Sequence, residues 1–155
     1  MSRSEMRRGA RLSAVQALYE MEVGGRGVVE AMAEFEAFWI GKEVEDIELP
    51  KVEIAFFRDL LGGVVREQRL VDRSVDDLLA SGWPLKRVEA VVRAILRAGA
   101  YELAFRKDVP GRAVISEYVA VARSFYEGDE VGMVNAVLDR MARDVRAEEF
   151  DAPAA

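Results

Sequence analysis

VEAVVRAILRAGAYELAFRKDVPGRAVISEYVAVARSFYEGDEVGMVN, residues 88–135, decides the fold of this chain. Apolar residues recur at Val88, Val91, Val92, Ile95 and Leu96, then past Gly99 at Leu103. That is the i, i+3, i+4, i+7 spacing of a helix with a wide buried stripe. Val109-Pro110 ends the series, because the residue before a proline is pushed out of the α region. A second series follows at Val114, Ile115, Tyr118, Val119, Ala122 and Phe125. The turn Glu127-Gly128-Asp129 closes it, with Asp129 a candidate N-cap, and a third series starts at Met133. Three amphipathic helices joined by short turns are expected to form one packing unit.

The flanking sequence reads as more helix. Ser2-Arg3-Ser4-Glu5 fits a capping box at the start of a first helix. Ala10, Ala14, Ala17, Leu18 and Met21 fall on one side of it. Arg8, Arg11, Leu12, Val15 and Tyr19 share an adjacent strip, and Ser13, Gln16 and Glu20 make the polar remainder. Gly24-Gly25-Arg26-Gly27 stops this helix, and a second runs over Val28–Ile40. Gly41–Leu49 is an acidic loop, and Pro50 suits the first position of a third helix. That helix presents Val52, Ala55, Phe56, Leu60 and Val64 and continues through Leu70, Val71, Val75, Leu78 and Leu79 to Ser81-Gly82. The pair Gly62-Gly63 inside it implies close approach of another helix. The last helix carries Val134, Val137, Leu138, Met141 and Val145. Residues 1–147 are expected to form the domain, and 148–155 a flexible tail. Alternating patterns and Asn-Gly or Asp-Gly turns are missing. The expected class is all-α, with six or seven helices in two lobes.

Composition narrows the chemistry. The 155 residues contain no cysteine and no histidine. Thiol chemistry is thereby excluded, together with the commonest general base and metal ligand. No apolar run approaches the roughly 20 residues of a membrane span, and no signal peptide is visible, so a cytoplasmic location is expected. Glu102 and Glu117 lie amid apolar residues. Buried acids are usually paired, so Arg97, Arg106 or Arg123 are their expected partners. Phosphate-binding glycine loops and metal-ligand clusters are not recognisable. A non-enzymatic protein without cofactor or metal is therefore expected.

The charge is −6 overall but unevenly spread. Arg3, Arg7, Arg8 and Arg11 stand against Glu5 alone in residues 1–11, whereas residues 28–60 are rich in acids, Glu53 among them. A basic end on an acidic body can bind a polyanion locally and with marked salt dependence. Arg7, Arg8 and Arg11 place three always-charged forks near the start of one helix, where water or a ligand can reach them. Arginines there oppose the helix macrodipole, a local conflict that hints at a use. Tyr19 and Met133 could stack on an unpaired base, although their spacing alone favours core packing.

Three anchors carry a resemblance. The first is Arg7-Arg8-Gly9-Ala10-Arg11 with Ala14-Val15-Gln16-Ala17-Leu18-Tyr19. The second is Phe57-Arg58-Asp59-Leu60-Leu61 with Gly63-Val64. The third runs from Ile95-Leu96-Arg97 through Tyr101-Glu102-Leu103, Asp108-Val109-Pro110, Ile115, Glu117 and Ser124-Phe125 to Val134-Asn135 and Val137-Leu138-Asp139. In this order they resemble the NusB family of bacterial transcription antitermination factors. The resemblance implies an all-α fold of two three-helix lobes in one compact domain. It implies binding of the boxA element of ribosomal-RNA transcripts as single-stranded RNA, together with the ribosomal protein NusE, within the RNA polymerase antitermination complex. The implied RNA-binding residues are Arg7, Arg8 and Arg11, with Gln16 and Tyr19 on the same helix and Asp129 and Met133 at the start of the last one.

The match has departures. Met133 stands where the family often has an aromatic, Gly9 where a further arginine is common, and Ala136 where glycine is common. Two other readings accompany the main one: a protein-interaction scaffold without RNA binding, and the N-terminal domain fragment of a ribosomal-RNA methyltransferase. Family members include monomers and dimers, so a homodimer stays open.

Overall fold

The computed structural model describes residues 2–38, 43–44, 47–48, 53–79 and 88–150. Among them are the helices α1 (Arg3–Gly24), α2 (Val28–Phe38), α3 (Ile54–Arg66), α4 (Gln68–Leu78), α5 (Ala90–Phe105), α6 (Gly111–Phe125), α7 (Asp129–Val145) and α8 (Ala147–Phe150). The fold is all-α. Two short strands, β1 (Glu43–Val44) and β2 (Ile47–Glu48), pair antiparallel with Glu43 opposite Glu48. The hairpin lies in the expected acidic loop, and its two-residue strands are too short to show alternation. The chain divides into two compact units, Met1–Arg66 and Glu67–Ala155. Among the described residues the first holds three helices, α1 to α3, and the second five helical segments, α4 to α8, where three were expected of each.

In the first unit α1, α2 and α3 pack on one another. Ser2 caps α1 by accepting a hydrogen bond from the Glu5 N–H at 3.1 Å, and Gly25 in the left-handed region ends the helix. Ala10, Ala14 and Ala17 are fully buried; small side chains on this face let the apolar face of α3 come close. Phe57 of α3 stacks on Phe35 of α2 with centroids 6.1 Å apart. The expected start at Pro50 lies outside the described residues, as do Trp39 and Ile40 at the end of α2. The long third helix of the sequence reading is two helices, broken at Glu67, which leaves helical geometry at φ −104°, ψ 19°. No proline or glycine marks the break, and the apolar spacing continues across it.

Gly62 does not meet a closely approaching helix. A Cβ there would lie 3.8 Å from Met32 Cε, an ordinary contact. Gly62→Ala is therefore expected to stabilise the protein by about 0.5–1 kcal/mol, the usual gain from removing a helix-interior glycine. Thermal denaturation followed by circular dichroism checks this.

The second unit is built on the quoted stretch, with α5, α6 and α7 packed mutually and α4 on α5 and α7. Gly99 is where close approach is real: a Cβ would come 2.8 Å from Leu138 Cδ1 of α7 and 3.4 Å from Tyr118 of α6. Arg97 grips Asp72 of α4 with two parallel bonds of 2.8 and 3.0 Å. Glu102 is fully buried and accepts from the Tyr118 hydroxyl at 2.9 Å, whereas Arg106 pairs with Asp108. Arg97 and Arg106 thus each hold an aspartate, and the Tyr118 hydroxyl holds Glu102. Glu117 is half-buried. α5 ends at Phe105, short of Val109, and Pro110 is the N-cap of α6. The N-cap of α7 is Gly128 at φ 114°, so Asp129 is the first helical residue and not the cap.

The C-terminal end of α5 is closed by Arg146, which is 0% exposed. Its Nε donates to the Leu103 carbonyl at 2.8 Å and Nη1 to the Val109 carbonyl at 2.9 Å. Nη2 donates to the Arg106 carbonyl at 2.9 Å and the Glu102 carbonyl at 3.4 Å. Nη1 also bonds Glu149 Oε2 at 2.7 Å, so all five N–H groups of the guanidinium have acceptors. Helix ends leave carbonyls without intrahelical donors, and here one side chain supplies them. Glu149 in turn accepts from the Gly111 N–H at 2.8 Å. These bonds, Arg146 first, hold its carboxyl below the usual range. The expected tail boundary at 148 falls inside α8, whose Phe150 ring lies under Arg112 and Arg143.

Candidate nucleic-acid interface

α1 carries five of the seven residues singled out for RNA, and the structure sorts them into two layers. Arg8, Gln16 and Tyr19 are exposed, with Leu12 half-buried between them. The spacing 8, 12, 16, 19 keeps them on one side of the helix. Arg7 and Arg11 point into the unit instead. The Arg7 side chain is 13% exposed, and Arg11 is 4% exposed. The expectation of three solvent-reached forks is thus corrected for Arg11 and largely for Arg7. Arg11, Ala14, Val15 and Leu18 are themselves an i, i+3, i+4, i+7 set, so the signal for its burial was present.

Both inward arginines rest on one ring. The Arg7 and Arg11 guanidinium carbons lie 4.4 and 5.1 Å from the centroid of Phe56, a buried residue of α3. Such contacts gain strength when desolvated. Arg7 Nε also donates to Glu53 Oε2 at 3.1 Å, and Arg3 reaches the same oxygen at 3.6 Å. The Glu53 N–H donates to the Met6 carbonyl at 3.1 Å, which fixes this residue against the first turns of α1. A carboxylate at a helix N-terminus is favourable for the macrodipole, so Glu53 resolves the conflict that the arginines create there. In the sequence Glu53 is one of an acidic run and Phe56 one of an apolar series. Their partners lie more than forty residues away, beyond the reach of periodicity.

The hydrogen bond from Arg7 holds the Glu53 carboxyl below its ordinary value of 4.5, with burial pulling the other way and the charges of Arg7 and Arg3 adding to the lowering. A carboxyl whose folded pKa is depressed stabilises the fold fully above its unfolded pKa. That contribution is lost as pH falls through the folded value. Glu53→Gln is accordingly expected to flatten the fall in melting temperature below about pH 4.5, measured as Tm against pH beside the unaltered protein. An unchanged acid limb would show that the Arg7 pair contributes nothing to folding.

Asp129 and Met133 belong to the second unit. Asp129 is exposed at the first position of α7, and Met133 is half-buried one turn later on the same side.

Residues 8–143 match the model of the NusB family. The transcription antitermination protein NusB of Rhodopseudomonas palustris strain TIE-1 is 62% identical over 149 residues, which are 96% of this chain and 86% of that protein. Among solved structures, NusB of T. maritima is similar with a TM-score of 0.74 and 25% identity, covering 97% of this chain and 98% of that one. A structure of the antitermination factors NusB and NusE in complex with double-stranded RNA has a TM-score of 0.70 at 24% identity, covering 88% of this chain and 96% of that one, a likeness of fold.

Proposed function

Because the chain belongs to the NusB family, we propose that it is a bacterial transcription antitermination factor. In this reading it binds boxA single-stranded RNA of ribosomal-RNA transcripts together with NusE, as part of the RNA polymerase antitermination complex. It acts in the cytoplasm, by binding and without catalysis. No helix among the described residues is long and apolar enough to cross a membrane.

One observation supports the site most directly: α1 presents Arg8, Gln16 and Tyr19 on one exposed side, backed by the charges of Arg7 and Arg11. Arginine forks take phosphate oxygens, and an exposed tyrosine offers a face on which an unpaired base can stack. Asp129 and Met133, at the start of α7 in the second unit, are proposed as further RNA contacts, Met133 through its sulfur. Residues 1–147 are proposed as the RNA-binding domain.

The test is titration of a fluorescent boxA-bearing single strand, with and without NusE, at two salt concentrations. A duplex of the same sequence and a scrambled strand are the comparisons. Arg8→Glu is expected to weaken binding about tenfold or more and to lower the salt slope by about one phosphate contact, with NusE binding spared. The single change is the clean one, since glutamate at the buried position of Arg11 would test folding instead. Sequence selectivity that NusE tightens supports the reading. Undiminished affinity in Arg8→Glu would remove α1 as the site. No selectivity with NusE present would leave the scaffold reading.

A further inference from the structure

We propose that Glu53 is an internal mask on the RNA-binding arm, a carboxylate that occupies the arginine fork an RNA phosphate would otherwise take. The inference rests on the RNA-binding reading of α1. The Glu53 Oε2 atom accepts from Arg7 Nε at 3.1 Å and lies 3.6 Å from Arg3 Nε. Arg3 is 74% exposed, yet it leans to this oxygen. Two cations of the first turns thus converge on one carboxylate, whose own side chain is 26% exposed and within reach of a competing anion. The carboxylate is tied to α1 by the bond from the Glu53 N–H to Met6 O, so it stays beside the arginines whether or not RNA is bound. An incoming phosphate must compete with it for the exposed Arg3 and for the small exposed part of Arg7, and sit near a fixed negative charge. Like charges at such distances repel, most strongly at low salt. Glu53 would thereby lower affinity for any RNA backbone and leave base contacts, such as stacking on Tyr19, a larger share of the binding.

Glu53→Gln removes the charge and keeps an oxygen that can accept from Arg7. Measured with the boxA-bearing single strand in the presence of NusE, it is expected to bind about three- to tenfold tighter at low salt. The slope of log affinity against log salt should steepen by about 0.7, one extra phosphate contact on a single strand. The scrambled strand is expected to gain more than the boxA strand, so selectivity falls. Glu5→Gln makes the same charge change on the exposed first turn of α1 and is expected to shift affinity less than about twofold. Glu53→Ala carries the same expectation as Glu53→Gln, and melting curves establish that each variant is folded at the assay temperature. Equal gains from Glu5→Gln and Glu53→Gln, or no gain from Glu53→Gln while the parent protein binds selectively, would overturn the mask and leave the RNA-binding reading standing. A loss of affinity would overturn it as well and make Glu53 a positioning residue for Arg7. Absence of selective binding by the parent protein would overturn both.

Discussion

Arg146→Met is expected to cost about 2–4 kcal/mol of folding stability, because it strips donors from buried carbonyls at the end of α5. Methionine keeps most of the volume, so the loss is polar in origin. The carbonyls of Leu103 and Val109 lose the donors that Arg146 supplies, whereas that of Arg106 keeps the Val109 N–H, and each unsatisfied buried acceptor costs about 1–3 kcal/mol. Glu149 loses its shortest bond as well. These penalties overlap, because the α5–α6 turn can relax toward water, so the sum of the parts exceeds the expected total. Urea denaturation with a fixed m-value gives the quantity directly. Arg146→Lys should recover only part of the loss, since an ammonium has three donors and no planar fork. A cost under about 1 kcal/mol would mean that water replaces the guanidinium at these carbonyls.

Much of this fold is legible in residues 88–135, and the reason is local. Helices α5 to α7 each carry a full apolar stripe, and Pro110 and Gly128 punctuate them, at a φ of −57° that suits proline and at a positive φ that favours glycine. What stayed hidden is non-local or too short to pattern. Arg146 looks like one more basic residue at the end of a helix, whereas its acceptors lie about forty residues upstream. The break at Glu67 has no breaker residue, so continuous periodicity carried the reading through it. In the candidate site, the residue types and the helix were readable, and the family resemblance pointed to RNA. The layering was not read, although the spacing of Arg11 from Ala14, Val15 and Leu18 held it. Charge alone suggested solvent for Arg7 and Arg11, but a ring beneath and a carboxylate beside can hold an arginine inside.

Phe56→Ala should therefore damage the first unit and the proposed RNA site together. Truncating a buried phenylalanine costs about 3–5 kcal/mol through lost burial and the cavity left behind. Here the ring also bears two guanidinium groups, each worth about 0.5–2 kcal/mol depending on desolvation. Without it Arg7 and Arg11 lose their platform, and the exposed layer of Arg8, Gln16 and Tyr19 loses the support that orients α1. Phe56→Leu separates the two contributions. It restores much of the apolar volume, at a packing cost of about 1–1.5 kcal/mol, but supplies no π face. If the platform matters, Phe56→Leu should remain folded and yet bind boxA-bearing RNA several-fold more weakly, with the loss concentrated at low salt where the arginine charges count most. Denaturation and RNA titration on the same preparations give both numbers. Wild-type affinity in Phe56→Leu would reduce the ring to ordinary core packing and place the binding wholly in the exposed layer of α1.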